Sequence, residues 1–545
     1  MTDMLVTGTP NADAALHDLR AALGHEAVHT DGDLMAEMID PYEPVSWGGQ
    51  RNLAVVQPAS VEEVQAVVRI ANQHGVPLWV GSQGRNNGYG GSGSVVSGSI
   101  VVNLRRMNQV LEVNEDLGYV VVEPGVSYFD LYDHIKRVGA KLFIDVPDLG
   151  WGSVIGNTAD HGWGYTEYGD HAQALCGMEV VLPDGEVMRT GMGGLEKPSA
   201  WHVYKRGYGP STESLFLQSN FGIITRMGVW CMPEPEVYMN GMIRVEADED
   251  LPGLIDAIRP LMLDGTIANF PSCFNAAAVL TMLGSRESFW SGEGPIPHDV
   301  VQKVREATGL GAWMMRFALY GRDAQVDESY AHITSSLSGL PGISVTAEKH
   351  DGHDFDPSEL DQAGRVQAGV PDLEMLQSVK FAGENGGHVG FSSVIPLSGR
   401  DVTRIRDLVR AGAEGAGIDY TSTFLIQPRC AVHVFLAVYN RDDEVATNNA
   451  YDLVRTMIPR ATAAGYGEYR AHVSMMDMVA DQYAAGDHAQ HRFFQAIKDA
   501  VDPNGILMPG RAGIWPARLR GRDVPAPWKP NDAAGTSPEA SRRHL

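Results

Sequence analysis

The stretch that most limits what this chain can become is SQGRNNGYGG, residues 82–91, which follows the apolar run VPLWV and Gly81. Upstream, LAVVQPASVEEVQAVVRIANQHG reads as a strand and a helix. Ser60 and Glu63 fit a capping box, Val61, Val64, Val68 and Ala71 make an apolar stripe, and Gly75 ends the helix. A strand–helix–strand unit that runs out into a loop is where α/β folds usually place their ligands. Side chains as small as these let backbone N–H groups close on something anionic. The loop lacks the Lys-Ser/Thr ending of a Walker loop and the full GxGxxG spacing, so it is no standard nucleotide loop. The alternative is a tight turn, since Gly and Asn are the ordinary residues of αL turns.

At 545 residues the chain is long for a single core, and two or more domains are expected. With 44% apolar and 20% charged residues it has an ordinary globular composition. No apolar run reaches membrane-spanning length, and MTDMLVTGTPNADAALHDLR carries no basic region followed by a hydrophobic core, so neither a membrane protein nor an exported one is expected. The net charge of −26 argues against a nucleic-acid partner. Cys176, Cys231, Cys273 and Cys430 are widely spaced with no CxxC, which disfavours disulfide frameworks and thiolate zinc sites and fits a reducing cytoplasm. SIVVNL and YVVVEPGVSYFDLYDHI supply strands, a Pro-Gly turn and a helix, MEVVLPDGEVMRT a hairpin with Asp-Gly at its tip, and FGIITRMGVWCM a buried strand. From about Val237, helical segments alternate with strands such as AVHVFLAVYN, an α+β texture. Beyond Arg518 the composition is that of a disordered segment.

Several candidate sites are weak. HDGHDFD, residues 350–356, has metal-ligand residue types in a polar stretch that reads as a solvated loop, and His488 and His491 of HAQH lack the carboxylates of a zinc helix. No GxSxG elbow supports a serine hydrolase. Stronger features are Asp148 in DVPDLGWGSVIGN, His388 after two glycines in NGGHVGFSS, and the adjacent Tyr469 and Arg470 in GYGEYRAH, which together suit an anionic oxygen. Each has a plain alternative: a turn cap, a hydrogen-bonded strand residue and a surface Tyr-Arg pair, respectively.

Taken together, these segments resemble the vanillyl-alcohol oxidase family of FAD enzymes, most closely its bacterial eugenol-oxidase branch. The likeness rests on SQGRNNGYGG, DVPDLGWGSVIGN, GYTEYGDH, QSNFGIITRMG, NGGHVGFS, GYGEYR and DPNGILMPGRAGIWP, and covers residues 40–516. It implies an α+β, two-domain FAD-binding fold of the PCMH type. Residues 1–236 and 466–518 would form the FAD-binding domain, 237–465 an α+β substrate cap, and 519–545 a flexible tail. The FAD contacts it implies are Gly81, Ser82, Gln83, Gly84, Arg85, Asn86 and Asn87, then Gly152, Ser153, Gly156 and Asn157, then Gly222, Ile224 and Arg511. His388 matches the residue that carries the flavin covalently; a tyrosine there would point to the cytochrome-linked methylhydroxylase branch. Tyr89, Tyr469 and Arg470 match the group around the substrate's phenolic oxygen, and Asp148 the acid/base near flavin N5. Trp163, Tyr165, Ser392 and Leu425 are the implied substrate pocket.

The activity so implied is oxidation of para-substituted phenols, such as 4-alkylphenols, eugenol or vanillyl alcohol. A free phenol with a pKa of about 10 is almost wholly protonated at neutral pH, and a guanidinium with two hydroxyl donors favours the phenolate. Hydride leaves the benzylic carbon for flavin N5 through a p-quinone methide, and O2 reoxidises the flavin to give hydrogen peroxide. The resemblance also implies a homodimer, and no metal, membrane or nucleic-acid partner is expected. Alternatives are the same chemistry as a dehydrogenase feeding a protein acceptor, a sugar or alditol oxidase, and a flavin-binding protein without catalysis. The chain departs from the pattern at four places: Trp163 replaces a small Val, RCAVH (429–433) replaces REMHH, PGRAG replaces PGKSG at Arg511, and DPYEP lacks the histidine that assists flavin attachment in the fungal enzyme.

Overall fold

The computed structural model describes residues 11–47, 52–522 and 524. Its first sheet runs in the order Val28–His29, Ala54–Val56, Ile100–Asn103, Leu78–Gly81, the last three mutually parallel. Such strands are covered on both faces, which is why they read as unbroken apolar runs. The helix Val61–His74 makes the crossover; Ser60 Oγ accepts from Glu63 N at 3.3 Å and Gly75 closes the helix at φ +69°. The expected capping box is altered, because the Glu63 carboxylate accepts from Ala59 N, one residue earlier than Ser60. The buried stripe is Val64, Val67, Val68 and Ala71, with Val61 at its margin.

The sheet is completed from the far end of the chain. Leu78 N donates to Ile506 O at 2.7 Å and Met508 N to Leu78 O at 2.8 Å, a parallel bridge between Leu78 and Leu507. Lys498, 0% exposed, anchors this return: its ammonium pairs with Asp502 at 2.7 Å and donates to the carbonyls of Asn220 and Leu507. A buried cation is tolerable only when every donor is used in this way. The packed chain also continues beyond residue 518. Leu519 and Val524, in the segment expected to be a tail, are buried against Trp79 and Val95; residues 525–545 lie outside the described part.

A second, antiparallel sheet has the order Val110–Asn114, Tyr119–Val122, Ile223–Trp230, Leu175–Val181, Val187–Arg189, and its last pair is the Asp-Gly hairpin. A third sheet of eight antiparallel strands spans residues 237–468. It runs Ile343–Asp351, Val237–Val245, Trp313–Gly321, Ser272–Asn275, Ser422–Ile426, Cys430–Asn440, Gly386–Pro396, Gly467–Glu468.

Strand alternation then sorts the side chains of this large sheet. Val389, Phe391 and Ile395 join Phe424, Phe435, Ala437, Trp313, Met315 and Phe317 beneath the helices Leu251–Leu263, Asp323–Leu337, Gly399–Gly415 and Glu444–Ala463. Residues of the opposite parity, His388, Ser392, Val434, Leu436, Leu425 and Arg316, point the other way, towards the first two sheets. The site is built on that face.

Two weak sequence candidates dissolve. His488 has φ +57° and, with Gly486 and Asp487, is left-handed, so the regular helix begins after it and the pair cannot share a helical face with His491. In HDGHDFD, His350 bonds Asn240 at 2.9 Å and His353 bonds Glu234 at 2.9 Å. Among the described residues no group of three or more His, Cys, Asp or Glu could hold a metal, and no helix is long and apolar enough to cross a membrane.

Candidate active site

Between the two smaller sheets and the open face of the large one lies a cavity of about 430 Å³. The glycine-rich loop forms one wall, from Gly81 through Ser82, Gln83, Gly84, Arg85, Asn86 and Asn87 to Tyr89. Arg105 holds the loop by donating twice to the Gln83 carbonyl, at 3.0 and 2.6 Å, and Gln83 Nε2 reaches Gly125 O at 2.5 Å. Gly88 has φ +77°, and a Cβ there would sit 2.3 Å from His388 Nε2, so only glycine lets the loop meet that strand. Gly152, Ser153, Gly156 and Asn157 form a second wall. A Cβ on Gly156 would approach Ser82 Oγ to 2.3 Å, so the Ser82 side chain of one wall packs on the Gly156 backbone of the other. Gly222, Ile224 and Arg511 complete the lining.

At one end, Arg470 stacks 4.2 Å above the Tyr89 ring and donates to Asn86 Oδ1 at 2.6 Å. The Tyr89 hydroxyl shares a 3.2 Å hydrogen bond with Ser392 Oγ, while Tyr469 N donates to Ser392 O at 3.1 Å. Burial opposes the Arg470 charge, but Tyr89, Tyr469 and Asp160 together outweigh it and hold the guanidinium charged. Burial, reinforced by Tyr89, pushes the Tyr469 hydroxyl upward, so it remains a donor. Asp160 ties this end together: its carboxylate pairs with Arg511 and accepts from Asn86 Nδ2 at 3.1 Å.

Asp148 lines the same cavity and is fixed on three sides. Tyr165 OH donates to it at 2.5 Å, Arg316 at 2.9 Å and Gln362 Nε2 at 3.4 Å. Arg316 is 3% exposed, lies 3.9 Å over the Tyr165 ring and donates to Ser272 Oγ and Gln362 Oε1. Burial and the Asp148 charge push the Tyr165 hydroxyl far up, so it keeps its proton.

His388 lines the cavity with its Nδ1 buried and without a hydrogen-bond partner among the described residues. Desolvation pushes it down to about 4, so at neutral pH the ring is uncharged and keeps a lone pair. Tyr42 lies 5.1 Å away, ring to ring, and behind it the buried Asp40 and His472 pair at 2.8 Å. Trp163, with its ring 5.5 Å from Phe270, lines the wall together with Tyr165 and Leu425. A cradle of glycine backbone, an uncharged histidine with a free nitrogen and a guanidinium at the far side fit a dinucleotide whose planar ring system reaches His388.

Every residue that the resemblance assigns to the cofactor or the phenol lines this one cavity except Ser392, which reaches it through Tyr89. Arg316 and Asp160 were not foreseen. A lone arginine inside the apolar strand WMMRFALY is a signal that could have found the first; Asp160 carries none.

A model described as an FAD binding domain matches residues 53–191. The flavoprotein subunit of 4-cresol dehydrogenase (hydroxylating) from Pseudomonas putida is 34% identical over 506 residues, covering 92% of this chain and 95% of that one. Two solved structures are similar throughout. The 4-ethylphenol oxidase of Gulosibacter chungangensis in complex with isoeugenol shares 39% identity with a TM-score of 0.90, over 95% of this chain and 100% of that one. A p-cresol methylhydroxylase with substrate bound shares 32% with a TM-score of 0.87, over 92% and 97%.

Proposed function

Because the chain belongs to the vanillyl-alcohol oxidase and p-cresol methylhydroxylase family of FAD-dependent phenol-oxidising enzymes, we propose that it oxidises 4-alkylphenols, 4-allylphenols and 4-hydroxybenzyl alcohols at the benzylic carbon, with O2 as the electron acceptor. The observation that carries this reading is the sharing of one cavity by Tyr89, Tyr469 and Arg470 with Asp148 and His388. Arg470 and the two hydroxyls bind the phenol and favour its phenolate. The phenolate feeds electron density to the para carbon, which weakens the benzylic C–H bond towards loss of hydride. Bound FAD supplies the two-electron acceptor. Asp148, oriented by Arg316 and Tyr165, takes or returns a proton at the water or alcohol that meets the benzylic carbon. The indole of Trp163, which lines the cavity with Tyr165 and Leu425, shortens or reshapes the pocket for the para side chain.

His388 is the proposed point of covalent attachment; its uncharged ring and unpaired Nδ1 support this. Residues 1–236 and 466–518 are assigned to the FAD-binding part and 237–465 to the cap, in a cytoplasmic homodimer. A second reading, electron delivery to a protein acceptor, is favoured by the 34% identity to a dehydrogenase flavoprotein subunit. Oxygen uptake with vanillyl alcohol, eugenol, 4-ethylphenol and a syringyl analogue separates the two. Uptake with peroxide supports the oxidase. Anaerobic bleaching of the flavin without uptake supports the dehydrogenase, and no bleaching with any phenol refutes both.

A further inference from the structure

A second cavity, of about 550 Å³, backs onto the first. The two share a wall that includes Trp163, Tyr469 and Arg470. From that wall the second cavity runs outward between apolar side chains, among them Phe221, Val479 and Phe494, to Tyr483 and Gln490, both exposed. It is therefore a mainly apolar cavity that includes exposed residues and backs onto the Tyr469–Arg470 pair.

Three acids interrupt the mainly apolar lining: Asp160 pairs with Arg511, Asp170 accepts from Gln173 N, and Glu468 is the third. Glu468 is 6% exposed, lines this cavity and not the first, and uses only Oε1, which accepts from Ser392 N at 3.2 Å. Its Oε2 is buried with no hydrogen-bond partner among the described residues, as is Nε1 of Trp163 at the shared wall. Buried polar atoms are rarely left unpaired without a reason. Burial also drives the Glu468 carboxyl well above the usual range, so it is neutral and both donates and accepts. The unused oxygen of Glu468 beside Phe221, Val479 and Phe494 matches a mainly apolar molecule that carries a hydroxyl.

We propose that the outer cavity is the way in and the first resting site of the phenol, which enters past Tyr483 and Gln490, sets its hydroxyl on Glu468 and then crosses the shared wall beside Trp163 to reach Arg470. This rests on the phenol-oxidising reading above. The order also has a physical logic: the molecule passes the mainly apolar outer cavity uncharged, where Arg511 is already paired with Asp160, and ionises only beside Arg470.

The test blocks the exposed end of the outer cavity at Gln490. In the holoenzyme carrying Gln490→Cys, fluorescein maleimide puts a bulky group at the mouth, and wild-type protein treated in the same way controls for reaction at Cys430. Anaerobic stopped-flow reduction by 4-ethylphenol gives the second-order rate constant and the limiting rate. Labelled Q490C should lose at least tenfold in the second-order constant while the limiting rate stays within twofold. Labelling with iodoacetamide, which is small, should change neither. Glu468→Leu should raise KM and leave kcat within twofold. Unchanged second-order constants in the fluorescein-labelled protein overturn the route alone. If no phenol reduces even the unlabelled protein, the phenol reading falls and this proposal falls with it.

Discussion

Replacing Arg470 with glutamine removes one positive charge from the end of the cavity and keeps a hydrogen-bond donor of similar reach. A phenol with a pKa of about 10 must be stabilised as phenolate by ~4 kcal/mol to be half ionised at pH 7. A guanidinium about 4 Å from the phenolic oxygen, in surroundings with an effective dielectric constant of about 20, supplies ~4 kcal/mol. The arginine is positioned to deliver it: it stacks on Tyr89, is oriented by Asn86 and remains charged despite its burial. Loss of that charge should lower the rate of flavin reduction at pH 7 by roughly a thousandfold, at ~1.4 kcal/mol for each factor of ten. Because the defect is in ionisation, the variant should recover about tenfold for each pH unit raised until the phenol ionises by itself. Anaerobic stopped-flow reduction by 4-ethylphenol between pH 6 and 10 measures both effects. A variant within threefold of wild type at pH 7, or one whose deficit is the same at every pH, would refute the electrostatic role.

Three further outcomes are expected. Arg316→Met deprives Asp148 of its 2.9 Å partner and lets its carboxylate leave the benzylic position, so flavin reduction should slow by about tenfold or more while the flavin stays bound; an unchanged rate would mean that Tyr165 and Gln362 suffice. Gly88→Ala forces a Cβ at φ +77° against His388, which should cost ~1–3 kcal/mol in thermal unfolding and reduce the flavin that stays with acid-precipitated protein. Glu43, 4% exposed, is raised to about 7 chiefly by burial, with the Asp40 charge adding to it. Its protonated form therefore stabilises the fold below pH 4.5, and that stability is lost as pH rises through 7. Glu43→Gln should match wild type in acid and exceed it above pH 7 by up to ~3 kcal/mol in chemical denaturation; parallel curves would contradict this.

Much of the site was legible because its parts are local. The loop from Gly81 to Tyr89, the turn around Asp148 and the Tyr469–Arg470 pair are short segments whose small residues or adjacent functional groups announce themselves. What was not legible depends on pairing across the chain. Arg316 meets Asp148 from 168 residues away and Asp160 meets Arg511 from 351, and no local pattern encodes either meeting. Backbone detail misled as well. The spacing of His488 and His491 suggests one helical face, yet three successive left-handed residues start the helix later. Glu63 fits a capping box by spacing, but its flexible carboxylate reaches Ala59 instead.

The return of the chain at Leu507 to the side of Leu78 governs how the protein comes into being. Leu78–Gly81 is the edge strand of the first sheet until residue 507 arrives, and the Asp40–His472 contact closes a span of 432 residues. A ribosome working at about 5–20 residues per second needs roughly 20 to 90 seconds to pass from Leu78 to Leu507. Throughout that interval the N-terminal sheet has an unpaired apolar edge, the kind of surface that recruits other nascent chains. The loop that walls the cavity is attached to that edge strand. Closure of the sheet and completion of the binding site therefore coincide, and cofactor supply at that moment becomes a determinant of yield.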